Sequence, residues 1–152
     1  MSPTFAQLWA AHPANQGVET PCADAGGVPH FENQCAIKMG LTLQRAGVDL
    51  STYPKTKCCW FGHAEKHVLR AEELAAWLKN RPALFGKVQR TKHTTVVAFR
   101  GQQGIVMCRN FWGKGMQGDH LDLWNGDRFA DGDDDYFERS QEVWFWAISA
   151  PD

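Results

Sequence analysis

The chain has 152 residues, enough for one domain that hides roughly two-thirds of its unfolded surface without disulfides or metals. With 43% hydrophobic and 22% charged residues it reads as globular rather than disordered, and seven tryptophans promise a heavy core or an aromatic binding face. A net charge of −1 argues against a polyanionic partner, whose phosphates demand many Lys and Arg contacts, and no run approaches the ~18 apolar residues of a membrane-spanning helix.

The first residues, "MSPTFAQLWAAHPANQG", lack a charged segment followed by a long apolar stretch. No cleavable secretory signal is therefore expected, and the protein should stay in the cytosol or leave by a route that reads no such signal. Five cysteines, Cys22, Cys35, Cys58, Cys59 and Cys108, are odd in number and irregularly spaced, so at least one thiol should be free.

Taken in chain order, Thr4 is a plausible N-cap for a short helix whose Phe5, Leu8 and Trp9 share a face and which Pro13 stops. From Asn15 to Pro29 the text is loop-like. A second helix is expected from about Asn33 to Ala46, with Ile37 and Leu41 four apart and Gly47 as its stop. A third is expected in "RAEELAAWLKN": Glu72 and Glu73 suit its first turn, Leu74, Trp77 and Leu78 form the buried stripe, Lys79 suits its end and Pro82 closes it. Past Pro82 the pattern changes. "TTVVAF", "GIVMCRNF", "HLDLWN" and "EVWFWAIS" are rich in β-branched and aromatic residues and are separated by Gly, Asn or Asp, as antiparallel strands are. Helices first and an antiparallel sheet after them predict an α+β fold, with helices packed on one face of the sheet and residues 1–152 forming a single domain.

Cys35 falls at the start of the second helix, where the backbone dipole favours a reactive thiolate over a thiol. A nucleophile also needs a base. His120 opens an alternation that runs to Asn125-Gly126, a strong hairpin signal. With those two residues as the turn, Trp124 pairs with Asp127, Leu123 with Arg128, and His120 with Asp131. A carboxylate across the ladder, about 5 Å away between Cβ atoms, would fix the imidazole's tautomer and stabilise its charged form. Asp122, on the same strand face as His120, is the alternative orienter. Cysteine, histidine and aspartate in this arrangement would supply the nucleophile, base and orienter of an acyl-transfer enzyme.

Two other features compete. Cys58, Cys59, His63 and His67 are all metal-ligand types and the histidines are four apart, but adjacent cysteines rarely share one tetrahedral ion, and Glu65 is displaced from the position an HExxH pattern requires. Trp144 and Trp146 alternate along a strand as core residues do, whereas Trp112 sits in a Gly-rich stretch (Gly113, Gly115, Gly118) that could wall a substrate groove.

The segments "NQCAIKMG", "HVLRAEELAAWL", "GIVMCRNFW", "GDHLDLWNG" and "VWFWAI", in this order over nearly the whole chain, resemble the type VI secretion amidase effectors of the fourth family, within the NlpC/P60 and papain-like cysteine peptidase group. The resemblance implies an antibacterial toxin, delivered by type VI secretion without a signal peptide into the periplasm of a rival cell. There it would cut peptidoglycan stem peptides between D-glutamate and meso-diaminopimelate. It places the catalytic cysteine at Cys35 in "NQCA", the histidine at His120 in "GDH" and the acid after the hairpin at Asp131. The Cys35 backbone N–H, with Asn33 or Gln34, would hold the oxyanion. A cognate immunity protein would protect the producer, and no cofactor or metal would be needed. The Cys58-Cys59 doublet and Cys22 depart from the family pattern, so no disulfide pairing carries over. A zinc amidase built on the residue 58–67 cluster and a non-catalytic wall-binding module are the alternatives.

Overall fold

The computed structural model describes residues 3–18, 21, 35–54, 67–109 and 119–148. Its first helix, α1 (Phe5–Ala11), begins as its residues dictate: the Thr4 hydroxyl accepts the Gln7 N–H while the Gln7 side chain accepts the Thr4 N–H, satisfying two donors the helix would leave orphaned. At its other end the backbone N–H of His12 returns to Trp9. The His12 ring then caps the 3-10 turn Pro13–Gln16, its Nδ1 accepting the Ala14 N–H at 3.1 Å.

Helix α2 (Cys35–Arg45) is buried on every side from Cys35 to Leu43, so it runs through the protein rather than over it. Gly40 permits this, because a Cβ there would press within 3.0 Å of the Val68 side chain. The helix stops at Gly47 (φ +94°), where the Val48 N–H reaches back to the Leu43 carbonyl and the Gly47 N–H to that of Gln44, the six-to-one and five-to-two bonds of a Schellman end. Helix α3 (Ala71–Lys79) has Glu72 and Glu73 in its first turn, Lys79 in its last, and Leu74, Trp77 and Leu78 buried. Pro82 does more than close α3: it opens a short helix, α4 (Pro82–Phe85), at a position where its missing N–H costs nothing.

Four antiparallel strands follow, β1 (Gln89–Lys92), β2 (Gly104–Arg109), β3 (His120–Trp124) and β4 (Glu142–Ala147), ordered β1-β4-β2-β3. Strand β1 is fully exposed and carries no apolar alternation, which is why its sequence does not announce it. "TTVVAF" instead forms a 3-10 turn, Val96–Phe99: the spacing of three turns Val96 and Phe99 toward the core and leaves Val97 exposed. Gly104 must be a glycine, since a Cβ there would run into the Trp146 carbonyl of the neighbouring strand.

One sheet face (Ile105, Met107, Leu121, Leu123, Trp144, Trp146) packs on α1, α2 and α3 through Leu8, Met39, Leu43, Leu74 and Leu78, as the α+β reading predicts. The other face has a core of its own. Val106, Cys108, Trp124, Val143 and Phe145 meet Phe99, Phe129 and Phe137. The last of these lies on α5 (Tyr136–Arg139) and stacks on Phe99 at 4.6 Å, while the Trp124 Nε1–H donates to the Phe99 carbonyl at 2.9 Å.

Candidate active site

Cys35 is the first residue of α2, buried, at the positive end of an eleven-residue helix. Its Sγ lies 3.7 Å from the Asp119 carbonyl oxygen, and its side chain hydrogen-bonds that of His120. His120 is the first residue of β3 and pairs with Cys108 of β2. Its ring stands edge-on to Tyr136 (centroids 5.0 Å apart) and Phe129 (6.2 Å), and its Nε2 is 2.7 Å from Asp122 Oδ2. With Nε2 committed to Asp122, Nδ1 is the nitrogen that remains for the thiol.

Asp122 is fully buried, and its carboxylate is surrounded by donors: His120 Nε2, the Leu123 N–H at 2.7 Å and the Asp131 N–H at 3.1 and 3.3 Å from the two oxygens. His12 stands behind it, Nε2 to Oδ1 at 3.8 Å. Because His12 Nδ1 accepts a backbone N–H, the neutral ring carries its proton on Nε2, facing the carboxylate. Burial pulls the pKa of His12 below 6.5 despite Asp122. His120 goes the other way. Burial alone would lower it, but the hydrogen bonds to Asp122 and Cys35 outweigh burial and raise it to about 10. At neutral pH His120 is thus an imidazolium, set between Cys35 and Asp122.

The partner of His120 is therefore Asp122, not Asp131. Asn125 N–H bonds to the Arg128 carbonyl, and Trp124 bridges Phe129 rather than Asp127. The turn has slid by one residue, so that Gly126 (φ +95°) and Asp127 form the tip while the Asn125 side chain accepts the Asp127 and Arg128 N–H groups. A one-residue slide of the tip moves every pairing by two, and Asp131 comes opposite Asp122 instead of His120. The Asp131 carboxylate turns to Lys38, whose Nζ is 3.0 Å from both of its oxygens. Lys38 lies three residues after Cys35 on α2, so a closed ring links Cys35, His120, Asp122, the Asp131 backbone, the Asp131 side chain and Lys38 back to the helix that bears the thiol.

Gly132 completes the setting: a Cβ there would stand 2.9 Å from His120 Nε2 and 2.7 Å from the Tyr136 ring. His12, Lys38, Gly132 and Tyr136 are missed by sequence reasoning. Lys38 had a signal, a lone cation in the apolar run "AIKMGL"; Gly132 is masked by the acid run around it. Asn33, Gln34 and Trp112 lie outside the described residues, as do Cys22, Cys58, Cys59 and His63. Of the 58–67 cluster only His67 is described, and it is buried. Among the described residues, neither Cys35 nor Cys108 is in a disulfide, and no group of three His, Cys, Asp or Glu side chains is disposed to hold a metal.

A thiol at a helix start, an imidazole at a strand start and a buried carboxylate, set on an α+β scaffold, define the papain-like class of thiol hydrolases. Residues 31–146 match the family described as Tae4, type VI secretion system (T6SS) amidase effector protein 4, and the chain belongs to that family. It is thereby an antibacterial hydrolase directed at peptidoglycan. The fold is similar to that of the type VI effector Tae4 from Enterobacter cloacae (22% identity, 98% of each chain covered, TM-score 0.74). It is also similar to Tae4 in the Tae4–Tai4 effector–immunity complex from Salmonella Typhimurium (17% identity, 98% of this chain and 100% of that chain, TM-score 0.76). A third likeness is to Salmonella typhimurium Tae4 in complex with the immunity protein Tai4 from Enterobacter cloacae (18% identity, 97% and 99% covered, TM-score 0.73). No curated protein matches the chain in sequence.

Proposed function

We propose that this effector cleaves the wall stem peptide between D-glutamate and meso-diaminopimelate, in the periplasm of the receiving cell, with Cys35 as nucleophile, His120 as acid and base, and Asp122 as the residue that orients His120. The observation that carries the reading is the alignment of Cys35, His120 and Asp122, with the imidazole hydrogen-bonded on both sides. The Cys35 thiolate attacks the γ-glutamyl carbonyl, and the oxyanion forms against the Cys35 backbone N–H at the start of α2, with Asn33 or Gln34 as the second donor. Imidazolium His120 gives its Nδ1 proton to the departing amine of diaminopimelate. The neutral ring then takes a proton from the water that attacks the thioester; collapse expels the Cys35 thiolate and the glutamyl acid, which ionises in solvent, and the thiolate–imidazolium pair is restored. Asp122 keeps the Nε2–H directed away from the thiol throughout, and Asp131, the acid the family resemblance implied, acts through its backbone N–H by fixing Asp122.

The solved Salmonella and Enterobacter relatives pair Tae4 with the immunity protein Tai4. By analogy, a cognate immunity protein covers this site in the producing cell, and the type VI machinery exports the chain. Digestion of purified peptidoglycan with the wild type, Cys35→Ala and His120→Ala, followed by mass analysis, tests the reading. The wild type should expose new diaminopimelate amines and both variants should be inert; release by Cys35→Ala at the wild-type rate would end it.

A further inference from the structure

Beyond the catalytic cluster, the sheet carries a concave cleft of about 520 Å³ lined by Arg90, Lys92, His93, Arg109, Gln141 and Glu142. Strand register builds it. Arg90 lies beside Trp144, while Lys92 and Arg109 flank Glu142 from the strands on either side, so all five side chains share one face. Three cations stand over the Trp144 ring: Arg109 at 5.2 Å, Arg90 at 5.5 Å and Lys79 at 5.6 Å. The single acid, Glu142, is already engaged by the Trp144 Nε1–H at 2.6 Å and by Arg109 at 3.4 Å. Among the described residues neither Arg90 nor Lys92 has a carboxylate within ion-pair distance. His93 closes the cleft with φ +53°, a conformation that costs a residue with a Cβ and that here turns the chain back at the end of β1.

We infer that this cleft is a second anchoring site for the substrate, holding free carboxylates of the wall peptide at a distance from the bond being cut. The inference rests on the peptidoglycan reading above. A γ-linked glutamate leaves its α-carboxylate free, and diaminopimelate brings another, so the strand entering the site is a chain of carboxylates. The cleft lies at the correct end of the sheet. Arg109 follows Cys108, the ladder partner of His120, so its side chain leaves the sheet on the face opposite His120, the face on which α2 and Cys35 pack. From β3 across β2 and β4 to β1 is three strand spacings, ~14 Å, which an extended peptide covers in about four residues. A cleft of this size seats one or two carboxylates rather than a helical polyanion, in keeping with the chain's net charge of −1.

The test uses Arg90→Gln, Lys92→Gln and the double variant, all on an exposed edge strand where folding should be untouched, checked by an unchanged thermal midpoint. On purified sacculi the double variant should raise KM about tenfold with kcat unchanged, and the gap should close in high salt. Co-sedimentation with sacculi in a Cys35→Ala background gives a readout independent of turnover, so the cleft can fail while the amidase reading stands, or the reverse. There the double variant should bind less, and sacculi whose carboxyls have been amidated should bind both proteins equally. Equal KM and equal sedimentation on native sacculi overturn the inference. A deficit that persists on amidated sacculi overturns it as well, as does normal wall binding with lost affinity only for an acidic protein partner.

Discussion

The catalytic cluster and the basic cleft occupy the same end of one sheet, and both are made of charged side chains, but they are built in opposite ways. At the centre of the first, His120 and Asp122 are both buried, and the Asp122 carboxylate is held by three fixed donors, the His120 ring and the Leu123 and Asp131 N–H groups. Around Trp144 the cations are half-open and held by a ring face. Buried charges positioned by backbone suit a reaction in which a small displacement is costly; open charges suit affinity, where each contact contributes little and salt screens it.

Breaking the first arrangement should have the largest effects. Asp122→Asn keeps the shape of the site but removes the charge that holds the His120 proton on Nε2, and the wall-digestion rate should drop roughly ten-thousandfold with little change in KM. Asp131→Asn is the contrast. Its backbone N–H still holds Asp122, so activity should fall far less than in Asp122→Asn; an equal fall would make Asp131 the orienter.

Lys38→Met removes the buried partner of an ion pair whose Asp131 carboxylate is partly open to solvent, so unfolding in urea should show a loss of about 1–2 kcal/mol, with activity reduced as the 131–132 segment loosens. Gly132→Ala pushes a methyl group against His120 Nε2 and the Tyr136 ring, which should cost about 1–3 kcal/mol and reduce kcat more than it raises KM.

The pH dependence of stability sharpens the same contrast. His120 has a folded pKa of about 10 against an ordinary value of 6.5, so the stability it contributes is complete below pH 6.5 and is lost as pH rises toward 10. Cys108, a buried thiol pushed up from 9.0 to about 12, adds a second decline above pH 9. Urea midpoints should therefore fall from pH 6.5 to 9 in the wild type and stay flatter in His120→Gln. At the small end, Arg100 pairs with Asp127 and Asp134 in the open, and Arg100→Ala should change the urea midpoint by no more than about 0.5 kcal/mol.

Legibility in the sequence followed the kind of information each feature uses. Helix α3 could be read almost to the residue because acids, apolar stripe and final lysine all pointed the same way. The end of α2 could be read from Gly47, and the strands β2, β3 and β4 from their β-branched and aromatic runs. Strand β1 could not, since an exposed edge strand needs no hydrophobic pattern, and "TTVVAF" misled because β-branched residues also serve a tight turn. In the site, Cys35 and His120 were visible as a reactive residue type at a helix start and an imidazole opening a hairpin. The choice between Asp122 and Asp131 was not, because it turns on which residue sits at the tip of the turn, and Asn125-Gly126 and Gly126-Asp127 are both acceptable turn pairs.

By itself, then, the sequence determined the α+β class, the order of its elements, the thiol at a helix start and the family to which the chain belongs, because these rest on local composition and spacing. Tertiary structure alone decided that His12 faces Asp122, that Lys38 binds Asp131, that Gly132 gives His120 room and that cations from separate strands gather over Trp144. Each of these joins residues far apart in the chain, and a one-residue slide in a single turn is enough to exchange one buried partner for another.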